Sequence, residues 1–116
     1  MEIPEKRQSR RLKVSLPVTL QSLGPNKYFG ETITKDISAT GLRINMDSFF
    51  SPHSNFLVRL RIPEVNKVIE AMTRVVWSQR VTYSDKYQAG LQFYEINSIF
   101  KNWLEEYILL NEALAS

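Results

Sequence analysis

The chain has 116 residues, 43% of them hydrophobic and 23% charged, with 4 glycines, 5 prolines and no cysteine. That length and composition fit one folded domain with its own core rather than a disordered segment. They exclude disulfides, thiolate metal sites and a cysteine nucleophile, and no stretch approaches the ~20 apolar residues of a membrane span.

The net charge of +3 is unevenly placed. Residues 1–13 hold Lys6, Arg7, Arg10, Arg11 and Lys13 against Glu2 and Glu5, and the remainder holds ten residues of each sign. A neutral body with a cationic leading segment points to an anionic partner for that segment, the plain alternative being a solvated terminus. The opening MEIPEKRQSRR has no apolar run behind its basic residues, so no signal peptide is expected. The lack of cysteine is compatible with a reducing cytoplasm, the expected location.

The dominant period along the chain is two. Leu12, Val14, Leu16, Val18 and Leu20 alternate with polar residues and Pro17, which predicts a half-buried first strand. Pro17 cannot donate to a ladder, so it is expected at an edge or with its nitrogen facing outward. A turn at Leu23–Lys27 leads to a second strand over 29–37. A third strand carries Leu42, Ile44 and Met46 after the turn Ser38-Ala39-Thr40-Gly41. A loop over 47–55 precedes the alternation of Phe56, Val58, Leu60 and Ile62. The stretch from Pro63 to Asn66 turns the chain into a long strand with Ile69, Ala71, Thr73, Val75 and Trp77. Another turn near 82–86 introduces a last strand with Tyr87, Ala89, Leu91 and Phe93. Six or seven short strands with regular turns predict an antiparallel barrel or sandwich.

The ending changes period. Ile99/Phe100, Trp103/Leu104, Tyr107/Ile108, Leu110 and Leu114 recur every three to four residues, which predicts an amphipathic helix capped by Asn97 or Ser98. Its apolar face is expected to close one end of the barrel or to pack on a partner.

The residues offer little for catalysis. His53, the single histidine, lies in a loop with no second ligand at metal spacing and reads as a surface or turn residue. Ser9, Ser38 and Ser51 lack a nucleophile elbow, no phosphate loop of the P-loop kind is present, and the carboxylates form no pattern that pairs them. The chain is therefore expected not to be an enzyme and to hold no metal or cofactor.

Two short motifs carry more. Arg7-Gln8-Ser9-Arg10-Arg11 places Arg7 and Arg11 four apart, and guanidinium groups offer planar donors to phosphate oxygens and to guanine O6/N7. Asp36-Ile37-Ser38-Ala39-Thr40-Gly41 combines a carboxylate suited to guanine N1–H and N2–H₂, a short hydroxyl, and a glycine that permits a positive φ or a close backbone approach. The same six residues also suit a plain β-turn.

In this order and fold class, the motifs resemble the signature of the PilZ domain family. The signature is Arg-x-x-x-Arg shortly before the first barrel strand, followed by (Asp/Asn)-x-Ser-x-x-Gly. The resemblance covers nearly the whole chain, including the stretch Tyr87–Phe93 and the terminal helix. It implies an all-β fold with a C-terminal helix, a six-stranded antiparallel PilZ-type β-barrel over 12–94, and a helix over 97–114. It implies one domain over 1–116 that binds cyclic di-GMP, a bacterial second messenger, with residues 1–11 as a basic arm. Arg7, Arg10, Arg11, Asp36, Ser38 and Gly41 are the implied ligand contacts. Lys6, Arg43, Arg74 and Trp77 are further candidates, although Trp77 also fits the barrel core through its place in the alternating apolar set. A protein partner is expected downstream. Two rivals remain: a nucleic-acid-binding barrel, disfavoured because the body carries balanced charge, and a protein-contact module of the same family that binds no nucleotide.

Overall fold

Alternation of apolar and polar residues puts every second side chain on one face of a strand, and six such strands close around their shared apolar face. The computed structural model describes residues 11–24 and 28–115, with side chains to 112. Strands β1 (Pro17–Ser22), β2 (Phe29–Ile37), β3 (Gly41–Met46), β4 (Asn55–Ile62), β5 (Lys67–Arg80) and β6 (Tyr87–Ile96) are followed by helix α1 (Ser98–Ala115). They form a closed antiparallel barrel in the order β1-β2-β3-β6-β5-β4, so the fold is the one anticipated, with six strands.

The interior is filled by Val18, Leu20, Leu42, Ile44, Phe56, Val58, Leu60, Ile69, Val75 and Leu91, all buried. Two threonines share it, and each is satisfied. Thr73 donates to the Phe56 carbonyl at 2.9 Å. Thr34 donates to the Val14 carbonyl and accepts from the Leu16 amide at 3.0 Å.

The first strand starts later than its alternation predicts, at Pro17 rather than Leu12. The reason lies in β2, where the Thr34 hydroxyl supplies both bonds that a ladder partner would give to residues 14–16. Leu12 then makes an isolated two-bond bridge to Ile37. Pro17 opens β1, paired with Ile33 on one side only, a position that tolerates its missing donor.

Between β4 and β5 a single 3₁₀ turn over Pro63–Val65 ends at Asn66, which takes the left-handed conformation with φ 53°. His53 is also left-handed, with φ 74°, and its amide donates to the Val75 carbonyl at 2.8 Å. It is an exposed loop residue, and among the described residues no cluster of acidic groups, histidine or cysteine could hold a metal.

Helix α1 is capped by Asn97, whose Oδ1 accepts from the Ile99 amide at 2.7 Å. Leu104, Tyr107 and Ile108 join the barrel core, and the helix packs chiefly against β5. Lys67 Nζ lies 4.3 Å from the centre of the Trp103 ring, and Tyr107 donates to Glu64 at 3.2 Å. The buried stripe is narrower than the periodicity predicts. Ile99 and Leu110, expected on the apolar face, are exposed beside Leu109, because the barrel meets only the Leu104/Tyr107/Ile108 side of the helix. No helix among the described residues is long and apolar enough to cross a membrane.

Candidate functional site

Two of the barrel's ladder irregularities position the site. Along β2 the pairing runs Thr34↔Ile44 and then Asp36↔Arg43, so Lys35 is an extra residue. Along β5 it runs Val75↔Leu91 and then Trp77↔Gly90, so Val76 is an extra residue. Strict alternation would send Asp36 inward with Thr34, and Trp77 inward with Val75. One inserted residue in each strand turns both to the outer face. The core reading of Trp77 is thereby corrected: the bulge at Val76 breaks the apolar alternation one step before it.

The registers Asp36↔Arg43, Arg43↔Gly90 and Gly90↔Trp77 set these four residues in one row across β2, β3, β6 and β5. Trp77 lies over Gly90. A Cβ built there would come 2.2 Å from the indole nitrogen, so the missing side chain is the indole's seat. Trp77 stays 36% exposed. Gly90 was not among the sequence-based candidates. Its signal was a lone glycine in an otherwise regular strand, which marks a close approach.

At the other end of the row the Asp36 carboxylate binds two guanidinium groups. Arg11 Nη1 reaches Oδ1 at 2.6 Å, and Arg43 Nη2 reaches Oδ2 at 2.7 Å. The side chain of Asp36 is 4% exposed, those of Arg11 and Arg43 45% and 37%. A buried carboxylate thus holds two half-exposed cations facing outward. Arg43 Nε is buried and has no hydrogen-bond partner among the described residues.

Ser38 and Gly41 adjoin this cluster but serve the turn. Ser38 is fully buried, and its Oγ accepts from the Thr40 and Gly41 amides at 3.2 Å each. Its own amide donates to the Gly41 carbonyl at 2.8 Å. Gly41 has no positive φ. Its requirement is space, since a Cβ there would lie 2.1 Å from the Leu91 carbonyl oxygen. Arg74 lies one row further along, its guanidinium carbon 5.2 Å from the Tyr94 ring centre. Of the predicted contacts, the structure brings together Arg11, Asp36 and Arg43, with Trp77 in the same row. Lys6, Arg7 and Arg10 lie outside the described residues.

The PilZ domain family model matches residues 5–110. This chain belongs to the PilZ domain family. As a family, PilZ domains are receptor modules for cyclic di-GMP and are generally non-catalytic. Solved structures bear the same fold. The Bacillus subtilis inhibitor of motility MotI/DgrA superposes with a TM-score of 0.79 at 23% identity, over 92% of this chain and 51% of that one. The PilZ chain therefore spans about half the length of MotI/DgrA. The PilZ domain of YcgR from Escherichia coli, solved with cyclic di-GMP, gives 0.70 at 13% identity over 95% and 94%. The PilZ domain of CeSA from a cellulose-synthesizing bacterium gives 0.65 at 14% identity over 90% and 99%. A search of curated proteins gives no significant match.

Proposed function

We propose that this PilZ domain is a cyclic di-GMP receptor without catalytic activity, acting in the cytoplasm. The observation that carries this reading is the outer-face row. It joins two outward guanidinium groups, oriented by Asp36, to the Trp77 indole seated on Gly90. Guanidinium forks suit two phosphates and purine acceptor edges, and a half-exposed indole offers a face to a base. The family match and the ligand of the YcgR domain point the same way.

In this reading the segment ahead of Arg11 is the moving part, and Arg11 is its anchored end. Arg11 is already fixed on Asp36, and Leu12 is bridged to Ile37. The segment ahead of them brings Lys6, Arg7 and Arg10 to the phosphates and closes over the ligand. That closure changes the surface shown to a protein partner.

Calorimetric titration with cyclic di-GMP tests the reading directly, and absence of binding at micromolar protein would end it. Arg7→Ala and Arg11→Ala should each weaken binding by about ten- to a hundred-fold, the cost of one charged hydrogen bond. Limited trypsin digestion tests the arm: cleavage after Arg7 and Arg10 should slow on adding ligand, while the Arg11–Leu12 bond stays protected in both states. Equal rates at Arg7 and Arg10 with ligand bound would exclude closure. A second reading, a protein-contact module, is favoured by Ile99, Leu109 and Leu110 standing exposed on α1. It gains only if the titration is silent.

A further inference from the structure

The candidate site lies on the barrel wall, and the two barrel ends are finished differently. Strands β1, β3 and β5 run in one direction, so the β1–β2, β3–β4 and β5–β6 connections share one end. Helix α1 packs at the other, where Tyr107 meets Glu64 of the β4–β5 turn. In the closed order β3 and β4 stand diametrically opposite. Residues 47–54 therefore cross the open mouth, with the β1–β2 turn on one side and the β5–β6 hairpin on the other.

Those two sides differ in shape. Between the crossing loop and the β1–β2 turn lies a recess of about 430 Å³. Leu23, Phe49 and Phe50 supply apolar wall, Ser51, Ser54 and Asn55 supply polar atoms, and no Asp, Glu, Lys or Arg lines it. Val75 pins the loop: its amide donates to the Ser54 carbonyl at 2.9 Å, and its carbonyl accepts from the His53 amide at 2.8 Å. On the other side Tyr83 stands fully exposed at the hairpin tip, left-handed with φ 60°. That conformation is unfavourable for a bulky residue, and such strain collects at functional positions. The turn holds it there. The Val81 amide donates to the Lys86 carbonyl at 2.8 Å, the Ser84 amide to the Val81 carbonyl at 3.1 Å, and Arg80 Nε to the Ser84 carbonyl at 2.7 Å. Phe49 belongs to the crossing loop itself, exposed, its ring 6.1 Å from that of Tyr87.

We infer that the open mouth is a self-association surface, on which Tyr83 of each copy enters the recess of a second copy. A twofold axis in the plane of the mouth, along the crossing loop, exchanges its two sides. Each protruding ring then faces the other copy's recess, both contacts form at once, and Phe49 meets its own counterpart near the axis. A tyrosine suits this recess, its ring against the apolar wall and its hydroxyl among serine and asparagine. Its fixed presentation lowers the ordering cost of binding. An unlike partner would have to supply both a ring and a socket at the matching separation, whereas a second copy carries both. The contact does not depend on cyclic di-GMP.

Sedimentation of the full chain without nucleotide, from about 5 µM to about 500 µM, should show a monomer–dimer equilibrium, as befits a small interface. Tyr83→Asn installs a residue that tolerates the left-handed turn and removes both anchors. Dimerisation should weaken by about thirtyfold or more, the scale of hot-spot truncation, while thermal unfolding stays at or above that of the parent. Ser51→Trp fills both recesses and should weaken it likewise. Mixing the two variants leaves one Tyr83 and one open recess per pair. A heterodimer that neither variant matches alone should then form, read as fluorescence anisotropy of one labelled variant titrated with the other. A parent that stays monomeric throughout would overturn self-association at the mouth. So would a mixture no more associated than its components, or a dimer that survives Tyr83→Asn and is lost in Leu110→Glu, which would place the contact on α1.

Discussion

The two walls of this barrel are built to different rules. Around β1, β4 and the adjoining edges of β2 and β5, every register is continuous, and along β1 and β4 outward residues alternate with buried ones. Around β3 and β6 the flanking ladders are interrupted, at Thr34/Asp36 on one side and at Met72/Thr73 and Val75/Trp77 on the other. The continuous wall contributes core: Val18, Leu20, Val58 and Leu60 are almost completely buried. The interrupted wall gives up ladder regularity and gains outward functional groups in return. Asp36 and Trp77 both reach the outer face by one extra residue, and both belong to the candidate site. Irregular pairing, rather than a cavity, is how this small barrel makes room for chemistry.

The largest expected effect lies on the continuous wall. Leu60→Ala removes a buried side chain from β4 and should cost about 2–5 kcal/mol in urea unfolding. The folded fraction should bind cyclic di-GMP as the parent does, since β4 contributes nothing to the Asp36 row. A change in affinity beyond about twofold, measured where the variant is fully folded, would mean that the walls are energetically coupled.

On the interrupted wall, two glycines answer differently to the same substitution. Gly41→Ala drives a Cβ to 2.1 Å from the Leu91 carbonyl, a backbone atom in the paired strand. That cannot be relieved by a rotamer change, and a loss of about 1–3 kcal/mol is expected. Gly90→Ala meets only the end of the Trp77 side chain, at 2.2 Å. The indole can swing away, so stability should fall by about 1 kcal/mol or less, while the indole leaves its seat. The chain has two tryptophans. In a Trp103→Phe background the emission of Trp77 alone should shift in Gly90→Ala. An unshifted spectrum would place the indole elsewhere.

These contrasts also show what the sequence could and could not convey. Periodicity located all six strands because one face of each is buried, which imprints a period of two. The motif spacing picked out Asp36 and Arg11 because their residue types are particular. The facing of Asp36 and Trp77 was hidden, since a bulge changes direction without changing composition. Val76 looks like any strand valine, and Trp77 therefore joined the apolar set on paper. Likewise, Ser38 read as a ligand group because a turn serine and a contact serine are the same letter. Only its full burial and its bonds to the Thr40 and Gly41 amides assign it to the turn. The helix showed the reverse problem: Ile99 and Leu110 fit the apolar period, but the barrel covers only part of that face.

A smaller effect is expected at the junction between barrel and helix. Asn97→Ala removes the acceptor for the Ile99 amide and should cost about 0.5–2 kcal/mol, the range for loss of an N-cap. Asn97→Asp should retain the bond and add a favourable charge at the helix start. Equal stability of the alanine variant and the parent would show that the first turn of α1 is held by packing alone.

The smallest effect concerns Tyr107, which ties α1 to the continuous wall through Glu64 in the β4–β5 turn. Burial pushes its phenol above the ordinary value of 10.0, and the nearby Glu64 charge and hydrogen bond push it further the same way. The folded state therefore holds the phenolic proton more tightly than the unfolded state. The resulting stability is fully present below the unfolded pKa and is lost as pH rises through the folded one. At neutral pH Tyr107→Phe should cost about 0.5–1.5 kcal/mol, the net worth of an ordinary hydrogen bond. Other tyrosines and the lysines also titrate in alkali, so the informative quantity is the difference between parent and variant. Urea midpoints measured from about pH 8 to about pH 11 should show that difference shrinking above about pH 10, where an unfolded tyrosine ionises. A difference that stays constant across this range would mean that Tyr107 ionises equally in both states, and that neither burial nor Glu64 governs its proton.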